Sequence, residues 1–183
     1  KHDGTVHTAI CDLSSKDDIE RYIPAAAKAL GGIDVLINNA SGFGLGNDET
    51  AWKLGLDIDI MATVRASTAA EPYLVASGAG AIVNVSSISG FRASTRTPAY
   101  AAVKAALINY TSSQAALLAR KGVRVNAVAP GGITTPMVKG IQAGGFPPEP
   151  DMTLFAHLTR PDGHYAPPED VAGVIAMLAS ADG

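Results

Sequence analysis

Residues 81–104 read AIVNVSSISGFRASTRTPAYAAVK. The run Ala81–Ser87 is apolar and β-branched almost throughout and turns polar at its end. Such a strand has both faces covered, as in a parallel sheet. A helical pattern follows from about Pro98 to Arg120 and stops at Gly122. Arg120 and Lys121 fall in its last turn, where cations suit the helix dipole. One strand leading into one long helix is the repeating unit of an α/β fold.

The same alternation extends in both directions. Upstream, Thr5–Cys11 and Ile33–Asn39 read as strands, and downstream Val123–Ala129 does. A helix between the first two is capped by Ser14–Ser15 and ends at Gly31–Gly32, with Pro24 expected to kink or shorten it. A longer helix runs from about Glu49 to Ser77, with Trp52, Leu56, Ile60 and Val64 on its apolar face and a bend expected at Pro72. The β-α-β-α-β-α-β series predicts an α/β, Rossmann-like, doubly wound parallel sheet in a single domain over residues 1–183.

After Ala129 the pattern breaks. Pro130–Gly131–Gly132 opens a turn, Thr135–Gln142 reads as a short helix, and residues 143–167 are rich in Gly and Pro. A stretch of that length without regular pattern is usually a functional loop, so substrate contacts are expected over about 136–167. A last helix starts at Pro168–Glu169–Asp170 and reaches about Ser180.

Composition narrows the function classes. The 183 residues are 47% apolar and 17% charged, with a net charge of -3. A slightly acidic globular chain argues against a nucleic-acid or anionic-membrane surface. No apolar run approaches the roughly 20 residues of a membrane span. Cys11 is the only cysteine, which suits a reducing, cytoplasmic setting. His2, His7, His157 and His164 lack metal-ligand spacing, so no metal site is expected.

Tyr100 and Lys104 are four residues apart, on one helical face. Ser87 ends a core strand, where open α/β sheets place their ligands. Asn39 and Ala40 end the neighbouring strand, and Pro130–Gly131 ends the next, so several polar groups gather at one sheet edge.

Together these motifs resemble the short-chain dehydrogenase/reductase superfamily. Asn38–Asn39–Ala40–Ser41 is similar to its N-N-A-G motif, with Ser41 at the last glycine. Val85–Ser86–Ser87 and Tyr100–Ala101–Ala102–Val103–Lys104 resemble its Ser and Y-x-x-x-K active site; Ser87 precedes Tyr100 by the family's usual 13 residues. Asn126 through Pro130–Gly131 to Thr135–Pro136–Met137 resembles its N-x-x-x-P-G and downstream threonine.

The resemblance implies an NAD- or NADP-dependent oxidoreductase that interconverts an alcohol and a carbonyl. It implies Ser87, Tyr100 and Lys104 as catalytic residues. Asp12 and Leu13 would contact adenine, Asn39 and Ala40 would pass under the adenosine ribose, and Lys104 would hold the nicotinamide ribose. Pro130, Gly131, Ile133 and Thr135 would flank the nicotinamide amide. A small-molecule alcohol or carbonyl is the implied substrate and a second copy of the chain, as a dimer or tetramer, the implied partner. Free tyrosine has a pKa of about 10, and lowering it by three units takes roughly 4 kcal/mol, which Lys104 is expected to help supply.

Two departures stand out. The family's T-G-x-x-x-G-x-G phosphate loop has no match, so a first β-α-β unit and a last strand are expected beyond these residues. The cluster Ser41–Gly46 reads G-x-G-x-G without the fingerprint's third offset, and is expected as a flexible turn beside the site. The family's fourth catalytic residue, an asparagine that helps hold a water beside the lysine, falls at Asp59. Asp59 could bond only nearby backbone or could join the proton relay. Phe91, Met137, Ile141, Phe146, Met152 and Phe155 could line an apolar substrate pocket or be ordinary packing. The alternatives are an inactive fragment or a cofactor-binding scaffold without turnover.

Overall fold

A computed structural model describes residues 4–94, 96–136 and 165–183. Helix α1, Lys16–Leu30, is capped by the Ser15 hydroxyl, which accepts from the Asp18 N–H, and ends at Gly31 in the left-handed region. Strand β1 is Val35–Asn38. Helix α2 (Glu49–Leu54), a π-helical stretch (Gly55–Ala62) and helix α3 (Thr63–Ser77) follow as one continuous rod. Strand β2 is Ala81–Val85, a 3-10 turn covers Ile88–Phe91, and helix α4 spans Pro98–Leu118. Strand β3 is Arg124–Val128 and helix α5 is Pro168–Ala179.

The sheet is parallel in the order β1-β2-β3, with Val35 opposite Ala81 and Ala81 opposite Arg124. Helix α3 packs on β1 and β2, α1 on α3, α4 on β3, and α5 on β2 and β3. Ala62, Ala66, Ala70 and Leu74, four apart along the rod, bury against Ile82, Val123 and Val125. Ile82 and Val83 point to opposite faces and are both fully buried, so both faces of β2 are covered.

A polar ladder crosses the packed face. Asn38 Nδ2 donates to Asn84 Oδ1 (2.8 Å) and to Ser67 Oγ (3.2 Å), and Asn84 Nδ2 donates to Thr111 Oγ1 (2.9 Å). The asparagine inside β2 therefore joins β1, α3 and α4 at a fully buried point.

The structure corrects three expectations. Thr5–Cys11 forms no strand; Val6 is 80% and Ile10 100% exposed. An extended segment becomes a strand only by pairing, and no described strand lies beside it. Pro24 does not shorten α1, which passes it and ends at the left-handed Gly31, and α3 runs through Pro72 to the left-handed Gly78. Both prolines sit on exposed faces, where water can satisfy the carbonyl each leaves unbonded. The third difference is the π register of Gly55–Ala62 within an expected α-helix. The expected helix Thr135–Gln142 and most of the substrate loop lie outside the described residues.

Candidate active site

Three strand ends deliver the site. Asn39–Ala40 follows β1, Ser86–Ser87 follows β2 and Pro130–Gly131 follows β3. The pairing continues past the strands: Ser86 N–H donates to Val128 O (2.8 Å) and Ile88 N–H to Pro130 O (3.0 Å). This sets the turn after β2 against the turn after β3. The cleft they bound, about 580 Å³, is lined by Asn39, Ala40, Ser87, Tyr100, Lys104, Pro130, Gly131, Ile133 and Thr135. Those are nine of the residues singled out from the sequence.

The two neighbouring serines do different things. Ser86 Oγ donates to the Lys104 carbonyl (2.8 Å) and is committed to holding α4. Ser87 Oγ accepts from the Ser89 N–H (3.1 Å), which leaves its own proton free to donate. Ser87 also hydrogen-bonds the Tyr100 phenol, an effect that lowers the phenol's pKa.

Lys104 is nearly sealed, yet its ammonium lies 5.5 Å from the Tyr100 ring centre. It pairs with Asp59 Oδ1 at 2.9 Å, with side-chain exposures of 3% and 0%. It also donates to Val85 O (3.0 Å). Asp59 Oδ2 accepts from the Gly42 N–H (3.0 Å), and Thr63 Oγ1 donates to the Asp59 carbonyl (3.0 Å). The buried Asp59 Oδ1 is thus held by the Lys104 ammonium.

The chain's own groups push the Tyr100 pKa up, not down. Burial is the main cause, the Ser87 hydrogen bond opposes it, and the Asp59 charge adds to the rise. Lys104, expected to lower it, is paired with Asp59.

The glycines of the cluster after β1 allow close packing beside the site. A Cβ on Gly44 would lie 2.0 Å from Ala51 O, and one on Gly42 2.6 Å from Leu54 O. The loop therefore lies directly on α2. Phe43 between them takes φ +46°, a strained value for a bulky residue. Its ring stacks with Tyr100 at 6.3 Å and 13°.

Asp12 lines neither this cleft nor the adjoining cavity of about 150 Å³, which Leu13, Asn39 and Ala40 do line. The Asp12 carboxylate accepts from the Ser14 N–H (2.9 Å) and hydroxyl (2.7 Å), forming the turn into α1. Phe91 is 66% exposed and belongs to a separate depression with Gly90 and Pro98. Met137, Ile141, Phe146, Met152 and Phe155 lie outside the described residues.

A family model described as Enoyl-(Acyl carrier protein) reductase matches residues 1–183. Cis-4-hydroxycyclohexanecarboxylate dehydrogenase of Sinomonas cyclohexanicum is 37% identical over 92% of this chain and 67% of that protein. The 3-oxoacyl-acyl-carrier-protein reductase of Thermotoga maritima is 34% identical over 97% of this chain and 71% of its own length. This chain belongs to the short-chain dehydrogenase/reductase family. Among solved structures, levodione reductase superposes with a TM-score of 0.86 at 29% identity, covering 98% of this chain and 72% of that one. L-sorbose reductase of Gluconobacter frateurii, solved with NADPH and L-sorbose, gives 0.79 at 26% identity over 93% and 68%. The short-chain dehydrogenase/reductase described here is thus similar to oxidoreductases and spans 67% to 72% of their lengths.

Sequence reasoning missed three parts of this short-chain dehydrogenase/reductase site. The Asp59–Lys104 pair was signalled weakly by a carboxylate inside the apolar run Ile58–Asp59–Ile60. The Phe43–Tyr100 stack had no local signal. The α5 face, through Pro168, Val171, Ala172 and Ile175, closes one wall. It is brought there by Ile133 bridging to Ala166, a contact between distant segments.

Proposed function

We propose that this protein transfers a hydride between a nicotinamide dinucleotide and a small alcohol or carbonyl compound, with Tyr100 exchanging the proton. The observation that carries the reading is the convergence of Ser87, Tyr100 and Lys104 on one cleft at the carboxyl edge of the sheet. Its volume of about 580 Å³ is in the range of ligand sites.

The residues present fit a dinucleotide, NAD or NADP. Asn39 and Ala40 are exposed at the strand end, and Gly131 presents bare backbone. Lys104 spends two of its three donors on Asp59 and Val85, and the third is available to a ribose hydroxyl. The NADPH bound in L-sorbose reductase supports the same cofactor class here. When bound, the nicotinamide supplies or accepts the hydride. In the reducing direction the Tyr100 hydroxyl gives its proton to the substrate oxygen. Ser87 donates a hydrogen bond to that oxygen as charge builds on it. The Phe43 ring stacks beside that of Tyr100 on one side of the cleft.

The test is turnover of a panel of ketones, aldehydes and secondary alcohols with each dinucleotide, for the protein and its Tyr100→Phe variant. The variant keeps the ring and should lose about 10²- to 10⁴-fold in turnover. Dinucleotide affinity, followed by fluorescence titration, should hardly change. Near-normal turnover in Tyr100→Phe across the pH range would end the assignment.

A further inference from the structure

We propose that Asp59 is a positioning residue that binds Lys104 in a buried ion pair, withholds that cation from Tyr100 and thereby sets the pH range over which Tyr100 can serve as the base for alcohol oxidation. The inference rests on the reading of Tyr100 as the proton carrier.

The geometry supplies the argument. An ammonium 5.5 Å from the phenol ring would by itself favour the phenolate. Here that ammonium is 2.9 Å from a carboxylate, with only 3% and 0% of the two side chains exposed. With solvent excluded, the two charges act on the phenol as a pair rather than as a free cation. The carboxylate cannot swing aside, because Gly42 N–H holds its second oxygen and the close seat of Gly42 on Leu54 fixes that amide. Lys104 is held as firmly by Val85 O.

The other groups around Tyr100 do not replace the lost cation. The π stretch presents Asp59, α4 itself presents Lys104, the turn after β2 presents the uncharged Ser87, and the loop after β1 presents Phe43. The Asp59 charge adds to the upward displacement of the phenol's pKa that burial begins.

The consequence is a pH range. A bound nicotinamide would supply or accept the hydride. In reduction Tyr100 would give its proton to the carbonyl oxygen and solvent would reprotonate the phenolate left behind; in oxidation the phenolate would have to form first and accept the hydroxyl proton. A phenol held in its acid form moves the pH at which oxidation begins upward.

The experiment is a pH titration of the cofactor-free protein by phenolate absorbance, with Tyr100 assigned by subtracting the Tyr100→Phe variant. Asp59→Asn keeps the shape and removes the charge, and its single acceptor oxygen can take either the Gly42 N–H or the Lys104 ammonium. Its Tyr100 should titrate at least about one unit lower than in the parent. Alcohol oxidation at neutral pH should rise about tenfold in step with the phenolate fraction, and the pH profile of oxidation should move by the same interval. An unmoved titration in a folded Asp59→Asn overturns the proposal and leaves the role of Tyr100 standing. Loss of that role, by full turnover in Tyr100→Phe, is read from a different variant. If Asp59→Asn does not fold, Asp59→Ser decides, since it also removes the charge: a Tyr100 that titrates lower than in the parent supports the proposal, and one that does not move overturns it.

Discussion

Replacing Lys104 with methionine tests whether the ion pair behaves as a buried one. The change keeps an unbranched chain of similar length and removes the charge. Asp59, with 0% side-chain exposure, would keep its carboxylate in place with the Gly42 N–H as its remaining described side-chain contact. Breaking a buried pair from one side costs about 3–5 kcal/mol. For a chain of this size each kcal/mol moves Tm by about 2–4 °C, so Lys104→Met should melt about 6–20 °C lower. The exposed pair of Lys53 with Asp57 is the control, since Lys53→Met should cost about 0.5 kcal/mol or less. The double variant Asp59→Asn, Lys104→Met removes both charges and should recover more than half of the loss, a coupling that only contacting groups show. The assay is thermal and urea unfolding of the four proteins by circular dichroism. A Lys104→Met variant as stable as the Lys53→Met control, or single losses that simply add, would refute the buried-pair argument.

Four further outcomes follow from the same geometry. Ser87→Ala should lower turnover by about 10²- to 10³-fold with little change in Tm, whereas Ser86→Ala should cost about 1 kcal/mol of stability through its bond to Lys104 O; kinetics and melting on both variants separate the two serines. Gly44→Ala places a Cβ 2.0 Å from Ala51 O, so it should destabilise by about 1–3 kcal/mol and disturb the Phe43–Tyr100 stack, visible as a changed near-ultraviolet dichroism. The raised Tyr100 pKa contributes stability that is present below the free value of about 10 and is lost as pH rises through the folded value, so Tyr100→Phe should lose less stability in alkaline urea titrations. Arg124 donates to the carbonyls of Leu178, Ser180 and Gly183, so Arg124→Met should speed amide exchange in α5 and leave β2 protected.

The parts legible in the sequence were those written in short periodic units. The run ending at Ser87 and the four-residue spacing of Tyr100 and Lys104 placed those three residues on one edge before any coordinates. Thr5–Cys11 misled because composition reports a strand's taste for burial, whereas a strand needs a neighbour to bond. Asp59 was recognised as a departure, but its pairing depends on where Lys104 ends in space, 45 positions away in sequence. Gly42 and Gly44 read as looseness and proved to be close contact, because a glycine's lack of Cβ serves either purpose. Phe43 and the α5 wall were invisible because a stack and a bridge between remote segments leave no local pattern.

The wide turn at Gly55–Ala62 has a consequence for how this site tolerates change in length. A π turn carries one more residue per turn than an α turn. Deleting a single residue between Gly55 and Asp59 would let the rod relax to ordinary α geometry while α3 keeps its course. That extra residue is what the π turn absorbs, so α2 and α3 would keep nearly their present phase across the cut. A second deletion, with no wide turn left to absorb it, would rotate α2 by about 100° against α3 and take either Asp59 off Lys104 or Ala51 and Leu54 off the glycines that rest on them. The stretch is therefore a place where the rod can give up one residue and keep its two ends in step.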